Sequence, residues 1–553
     1  MKISKTKRFL ALALTLLMAF ALAACDQGGD SSSTPSNDGD SSVASSQQGG
    51  NVTEGEDFQE TTGEKPAGIQ PGTTFTYSIS YDVPTYMPYM DTRNNFLALQ
   101  LYDNLLYKYH ANLEDIRGNL AESWEVSEDG LEWVFQIKQD AYFSNGNQVN
   151  AEAFVKTWDV AKEYQPRYFV PVESYVATGE FELTITLSTP SPTFIYDLPM
   201  QPTVGVVDPA GLEEYGPEDN RAAVGAGPYY IESYVSGEGF VLKANENYHN
   251  PDKFPSIETV NLSIIPDENT AVIALMNGEI DSMVTVNIEI YNNLVDNGWN
   301  VAVVEDRVNP FWFNAREVEL FRDDVVREAL CHMIDWQAAT DLVYDGLFPA
   351  PNSYWVGPGS SPYGDNYSYD PELGIQMLEE AGYSKDDIAF TFLADPDFTN
   401  IELALQAQFQ ELGFNNIQVE TYDAATCYGM LKGGTYEVFP VHNGYGVESP
   451  LMPYSMGLTP ESTQRVMWLD YIDEARYEEA MTLYQEAATS PTFEAYLEKV
   501  EQLTKLCQEE NVALGGLQTM RVFGVAPRFG GVYIAPIVGY FDFCYLWDTE
   551  AAA

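Results

Sequence analysis

Two apolar periods alternate along this chain, and that alternation limits what it can fold into. Phe181, Leu183, Ile185 and Leu187 alternate with Glu182, Thr184, Thr186 and Ser188, the period of two of a strand with one buried face. Trp133, Phe135 and Ile137 repeat it. Further on, Val326, Ala329, Leu330, Met333 and Ile334 fall at helical spacing, with Asp323 placed to cap the first turn. A second helix is expected from Asp370 as N-cap, with Pro371 in its first turn, to a stop at Gly382. Thr399 and Glu402 have the spacing of a capping box opening a third helix, which runs to Leu412 ahead of Gly413. A helical pair follows, about 477–488 and 493–508, turning at Ser490-Pro491. Strands interleaved with helices predict a mixed α/β chain, and 553 residues at 45% hydrophobic content exceed one ordinary domain.

The N-terminus reads as an address. Lys2, Lys5, Lys7 and Arg8 precede an apolar run from Phe9 to Leu22, the pattern of a secretory signal, and its 14 residues are too few to span a bilayer. The run ends Leu22-Ala23-Ala24-Cys25, which resembles the lipobox of bacterial lipoproteins. That resemblance implies a signal peptide over 1–24 and a lipidated Cys25, whose diacylglyceryl group supplies the two chains that stable anchoring needs. From Asp26 to Gly68 the chain is mostly Ser, Gly, Asp, Glu, Thr and Gln. Such a stretch buries too little surface to offset ordering entropy, so 25–68 is expected to be a flexible tether, with a glycosylated or wall-embedded stalk as the alternative.

The charge balance excludes one class of partner. Asp and Glu number 83 against 27 Lys and Arg, a formal charge of −56 that repels nucleic acid and anionic headgroups. Four of those basic residues leave with the signal, bringing the mature chain to −60. The five cysteines show no C-x-x-C spacing, so the fold is expected to rely on packing. Catalytic markers are missing. His110, His249, His332 and His442 are scattered without H-E-x-x-H, and neither G-x-S-x-G nor G-K-[ST] occurs. Gly225-Ala226-Gly227 runs into Pro228, which has no N–H for a phosphate, and reads as a turn. Asp395 and Asp397 lack the glycine and terminal glutamate of a calcium loop and read as loop caps. No catalytic residue, metal site or cofactor is assigned. An exported hydrolase stays as a rival only because glycosidase carboxylates carry no fixed spacing. The 36 Tyr, 28 Phe and 9 Trp supply rigid faces suited to organic ligands, though most belong in the core.

A resemblance narrows the reading. Asn119-Leu120-Ala121-Glu122-Ser123-Trp124-Glu125, Trp133-Val134-Phe135-Gln136-Ile137 and Phe143-Ser144-Asn145-Gly146 resemble the signature of the family 5 bacterial extracellular solute-binding proteins. These are the oligopeptide, dipeptide and nickel receptors of ABC importers. Val224-Gly225-Ala226-Gly227-Pro228-Tyr229, Asn277-Gly278-Glu279-Ile280-Asp281 and the stretch from Phe321 to Asp335 continue the similarity, which spans about Thr74 to Trp547. It implies a two-lobed periplasmic-binding-protein-like fold of class II type, with a hinge, an interlobe ligand cleft and an inserted subdomain. The first lobe would be 69–308 with its insert at about 112–195, the second lobe 309–510, and 511–553 would return to the first. The implied partners are a peptide or other small organic solute, ABC permease and ATPase subunits, and the membrane through the lipid anchor. The implied state is a monomer on the outer face of the cytoplasmic membrane.

The resemblance also suggests site residues. In peptide-binding members a Trp-x-x-Asp-Tyr stretch holds the ligand's amino group. The corresponding residues here are His442, Asn443, Gly444, Tyr445, Gly446 and Glu448, with Gly446 at the Asp position. A buried ammonium without a counter-ion costs several kcal/mol. Either Glu448 or another acid replaces that Asp, or the ligand is not a free-amine peptide; a shift of one or two residues in this glycine-rich loop is the third possibility. An oligosaccharide or metal chelate on the same scaffold is the alternative. Asp91, Thr92, Arg93 and Asn94 form the candidate first-lobe loop, where Arg93 meets a ligand carboxylate or pairs with Asp91.

Overall fold

The computed structural model describes residues 52–54, 64–90, 95–108, 116–169, 171–200, 204–347, 368–440, 451–460, 462, 465–535 and 540–551. Local signals become local structure where a side chain satisfies free backbone groups. Asp323 accepts from the Val325 amide at 3.1 Å and opens the helix Asp324–His332. Asp370 accepts from the Leu373 amide at 3.0 Å and opens Pro371–Glu380, with Gly382 at φ +91° beyond its end. The later pair, Glu474–Ala488 and Phe493–Glu509, is capped by Asp473 and Thr492. Asp395 accepts from the Asp397 amide, the loop role expected of it. The capping box expected of Thr399 and Glu402 does not form. The helix Thr399–Glu411 has Phe398 at its N-cap and no side-chain cap. Thr399 lies inside the first turn, its hydroxyl donating to the Asp395 carbonyl at 2.8 Å, while Glu402 is buried. Phe398 and Ile401 enter the core, and their burial outweighs the cap.

Seventeen of the strands make the frame. In chain order they are β1 (Val52–Glu54), β2 (Gln70–Ile79), β3 (Leu106–Lys108), β4 (Ile116–Gly118), β5 (Ala121–Val126), β6 (Glu132–Ile137), β7 (Val172–Gly179), β8 (Glu182–Leu187), β9 (Tyr229–Val235), β10 (Gly239–Ala244), β11 (Ile257–Ile264), β12 (Ser282–Thr285), β13 (Asn300–Phe313), β14 (Ala389–Ala394), β15 (Asn416–Thr421), β16 (Val438–Pro440) and β17 (Ala513–Val525). The order β15-β14-β16-β13-β17-β12-β2-β11-β10-β9 forms the main sheet, with β1 beside β13. A separate antiparallel sheet runs β5-β6-β8-β7. Its apolar face comes from Phe135, Ile137, Leu183, Ile185 and Leu187, as the period of two predicts, and Gly130 at φ +71° turns β5 into β6.

The tether reading of 25–68 is shortened by two contacts. β1 pairs in parallel with Val301–Val303, and Lys65 donates to the Phe254 carbonyl at 2.7 Å. Backbone pairing on an open strand edge needs no apolar side chain, so polar composition did not forbid it. The signal segment and Cys25 lie outside the described residues. Among the described residues no helix is long and apolar enough to cross a membrane. Cys331, Cys427, Cys507 and Cys544 are buried free thiols.

Burial divides the body. One core gathers Phe75, Leu97, Phe135, Phe154, Leu242 and Leu262 with the late residues Phe523, Phe541 and Leu546. A second holds Leu294, Phe311, Phe321, Leu330, Phe392 and Phe409, and a third packs Trp312 and Leu393 against Leu431, Tyr454 and Leu503. Strands β13 and β17 pair from Asn300↔Val525 to Trp312↔Ala513 and run from the first core into the others.

Candidate functional site between the cores

Strand directions converge on the interval bridged by β13 and β17. β12 is antiparallel to β17, with Ser282 opposite Val525 and Thr285 opposite Val522, so its carboxyl end points along β17 toward the second core. β2 and β11 run parallel to it and end on the same edge. On the other side β16 is antiparallel to β13, with Val438 opposite Phe313 and Pro440 opposite Phe311, so chain leaving Pro440 heads toward the first core. β14 and β15 are parallel to β16 and end beside it. Ligands of open α/β sheets bind outside the carboxyl ends of strands, where side chains and loop backbone are free of the ladder. Two such edges face each other here.

The bridge is built to bend. The β13–β17 register shifts between Glu305 and Arg307 and again between Pro310 and Trp312. An extra residue breaks the ladder and bends the strand, and Pro310 lacks the N–H an unbroken ladder would use. Between the two shifts Asn309, fully buried, donates to the Leu517 carbonyl and the Thr519 hydroxyl, both at 3.2 Å, and holds the strands in register.

The second-core edge is acidic and tightly held. Asp423 follows the carboxyl end of β15 and caps the helix Ala424–Gly433 through the Thr426 amide at 3.0 Å, while at the opposite, amino end of β16 Glu437 accepts from the Thr391 amide at 2.6 Å. Glu402 is fully buried with neither carboxyl oxygen hydrogen-bonded. Burial first, and Asp395 second, hold it well above the usual carboxylate range.

The residues singled out in the sequence as ligand contacts, Asp91, Thr92, Arg93, Asn94, His442, Asn443, Gly444, Tyr445, Gly446 and Glu448, lie outside the described residues. Their flanks are described. Chain leading to 91 follows β2, and the helix Asn95–Leu101 takes it up again; chain leading to 442 follows β16. The Gly225–Gly227 turn packs on the end of that helix, the Gly227 amide donating to the Leu101 carbonyl at 2.9 Å. A Cβ at Gly225 would stand 1.9 Å from the same carbonyl, so these glycines serve close packing. His249 pairs with Asp103 at 2.8 Å in the first core, and His332 meets the Ser368 carbonyl at 3.0 Å; both are packed side chains. Among the described residues no group of His, Cys, Asp and Glu could hold a metal ion. Thr519 and Asn309 carry no motif, and the sequence offered no signal for them.

Residues 115–464 match the family described as bacterial extracellular solute-binding proteins, family 5, middle region. A Brucella ovis protein named as an ABC transporter peptide-binding protein is 28% identical over 367 residues, 63% of this chain and 68% of its own. The glutathione-binding protein GsiB of Escherichia coli (strain K12) is 26% identical over 382 residues, 67% of this chain and 72% of its own. NikA from Brucella suis, solved with Fe(III)-EDTA, superposes with a TM-score of 0.76 at 20% identity, covering 86% of this chain and 99% of that one. The substrate-binding protein CtaP of Listeria monocytogenes gives 0.75 at 19% identity, covering 87% and 100%.

Proposed function

This chain belongs to the bacterial extracellular solute-binding proteins of family 5 and has their two-lobed α/β fold, and on that premise we propose that it is the lipid-anchored receptor of an ABC importer for peptides or peptide-like solutes. The family is one of binding proteins, not enzymes. The observation that carries the reading is the pair of facing strand edges across a bendable bridge. A solute touching both edges favours the closed form by its differential affinity, and a permease reads that closure. We take 69–308 with 511–553 as the first lobe and 309–510 as the second.

Peptide is the preferred solute because the Brucella ovis and Escherichia coli relatives are named for peptide and glutathione binding. An extended peptide needs its enclosed backbone groups paired, while its side chains sit in wetter pockets. A carbohydrate or metal chelate is the second reading, favoured by Gly446 at the position of the amine-binding Asp. Thermal-shift screening of the mature chain with mixed tripeptides, cello- and xylo-oligosaccharides and nickel–histidine separates them. Ligand at ~100 times its Kd adds about 2.7 kcal/mol. Stabilisation by oligosaccharides alone removes the peptide reading, and turnover of any ligand restores the hydrolase one. With peptides bound, Glu448→Gln is expected to weaken free-amine peptides far more than N-acetylated ones; equal loss rejects Glu448 as the counter-ion.

A further inference from the structure

We propose that Tyr196 and Phe493 form an aromatic latch that holds the two lobes together in the closed form; this rests on the receptor reading above and names residues that set its closure. The two half-buried rings are in direct contact, with centroids 4.6 Å apart and planes tilted by 44°. Tyr196 belongs to the short helix Phe194–Asp197, which follows β8, and Phe493 is the first residue of the helix Phe493–Glu509. Phe194 and Leu198, on either side of Tyr196, are buried in the first core, whereas Phe493 packs against the third. The contact therefore joins the first lobe to the second. Neither residue lies on β13 or β17, so bending of that bridge moves one ring against the other.

Each ring is held from behind. Phe194 meets the ring of Trp133 on β6 at 5.4 Å, and the Leu198 carbonyl accepts from the Asn104 side chain at 3.2 Å, which fixes the helix of Tyr196 on both sides. Phe493 stacks on the buried Tyr496 at 5.6 Å, and the Tyr496 hydroxyl accepts from the Leu451 amide at 3.0 Å. Rings presented on such backing lose little entropy when they pair. Charge gives the contact its task. Acidic residues outnumber basic ones in both lobes, and like-charged bodies resist approach. An apolar pair adds cohesion without adding charge. The latch thus raises the closed fraction before solute arrives, and a receptor whose competent form is more populated binds every solute more tightly by the same factor.

The test reads distances between spin labels on the mature chain. Glu152→Cys and Glu478→Cys place exposed labels on the first and second lobes, while Cys331, Cys427, Cys507 and Cys544 are buried. A second pair, Glu152→Cys with Glu232→Cys, lies within the first lobe and is expected to stay unchanged in every variant, which separates a lost latch from a lost fold. Wild type is expected to show a short interlobe distance that matches the paired rings. Tyr196→Ala and Phe493→Ala are each expected to lower the ratio of short to long distances by about two- to tenfold, the double variant by no more, and Phe493→Tyr to keep it. Affinities for an equimolar tripeptide pool, nickel–histidine and cello-oligosaccharides, whichever bind, are expected to fall in proportion to the short population. An unchanged distance ratio in both alanine variants, or no short distance in wild type, overturns the latch and leaves the receptor reading in place. An affinity loss far larger than the fall in the short population makes the ring a solute contact and likewise overturns the latch. Alanine variants that shift the ratio while wild type binds none of the three solutes keep the latch and overturn the receptor reading.

Discussion

Glu402 shows what a single side chain can do against its local signal. Its spacing from Thr399 suited a cap, yet tertiary burial took the carboxyl inside with no hydrogen-bond partner. Burial favours the protonated form, so its folded-state pKa lies above the unfolded value of about 4.3. Asp395 from the preceding loop adds like-charge repulsion in the same direction. Stability from this group is then fully present below the unfolded pKa and is lost as pH rises toward the folded one. Glu402→Gln removes that titration. The variant is expected to melt higher than wild type at neutral pH, with the advantage shrinking as pH falls toward 4; melting curves that stay parallel across that range would reject a buried, proton-bearing Glu402.

At the scale of elements, caps were legible and close contacts were not. Asp323 and Asp370 open their helices as their positions in sequence predict, because a cap depends on three or four neighbouring residues. Gly225-Ala226-Gly227 read as a turn, but its glycines are needed where the chain crosses the end of the helix Asn95–Leu101, more than a hundred residues earlier. Gly225→Ala forces a methyl against the Leu101 carbonyl, and overpacking of this kind costs about 1–3 kcal/mol or more. A melting-temperature loss of several degrees is the expected outcome, and an unchanged midpoint would show that the helix end shifts freely. β1 makes the complementary point: three residues of a polar stretch gain order from an edge on β13 that no local pattern announces.

For the whole molecule, the N-terminal address and the body make separate contributions. On the proposal that the signal is cleaved ahead of Cys25, a mature charge of −60 would keep the body off an anionic surface, and retention at the membrane would fall to the lipid proposed on Cys25. Cys25→Ser is expected to release folded, ligand-competent protein from the membrane fraction; a variant still sedimenting with membranes would remove the anchor from the proposal. The sequence by itself determined the α/β class, the family and the caps at Asp323 and Asp370, though not the one expected at Thr399, because these depend on periodicity and on neighbours a few residues apart. Only the tertiary structure decided which groups share the bridge. Asn309 meets Thr519 across 210 positions, and Arg521 is set between two cores by pairing with a strand some two hundred residues earlier. Pairing at that separation follows from packing of whole layers, which no local pattern encodes.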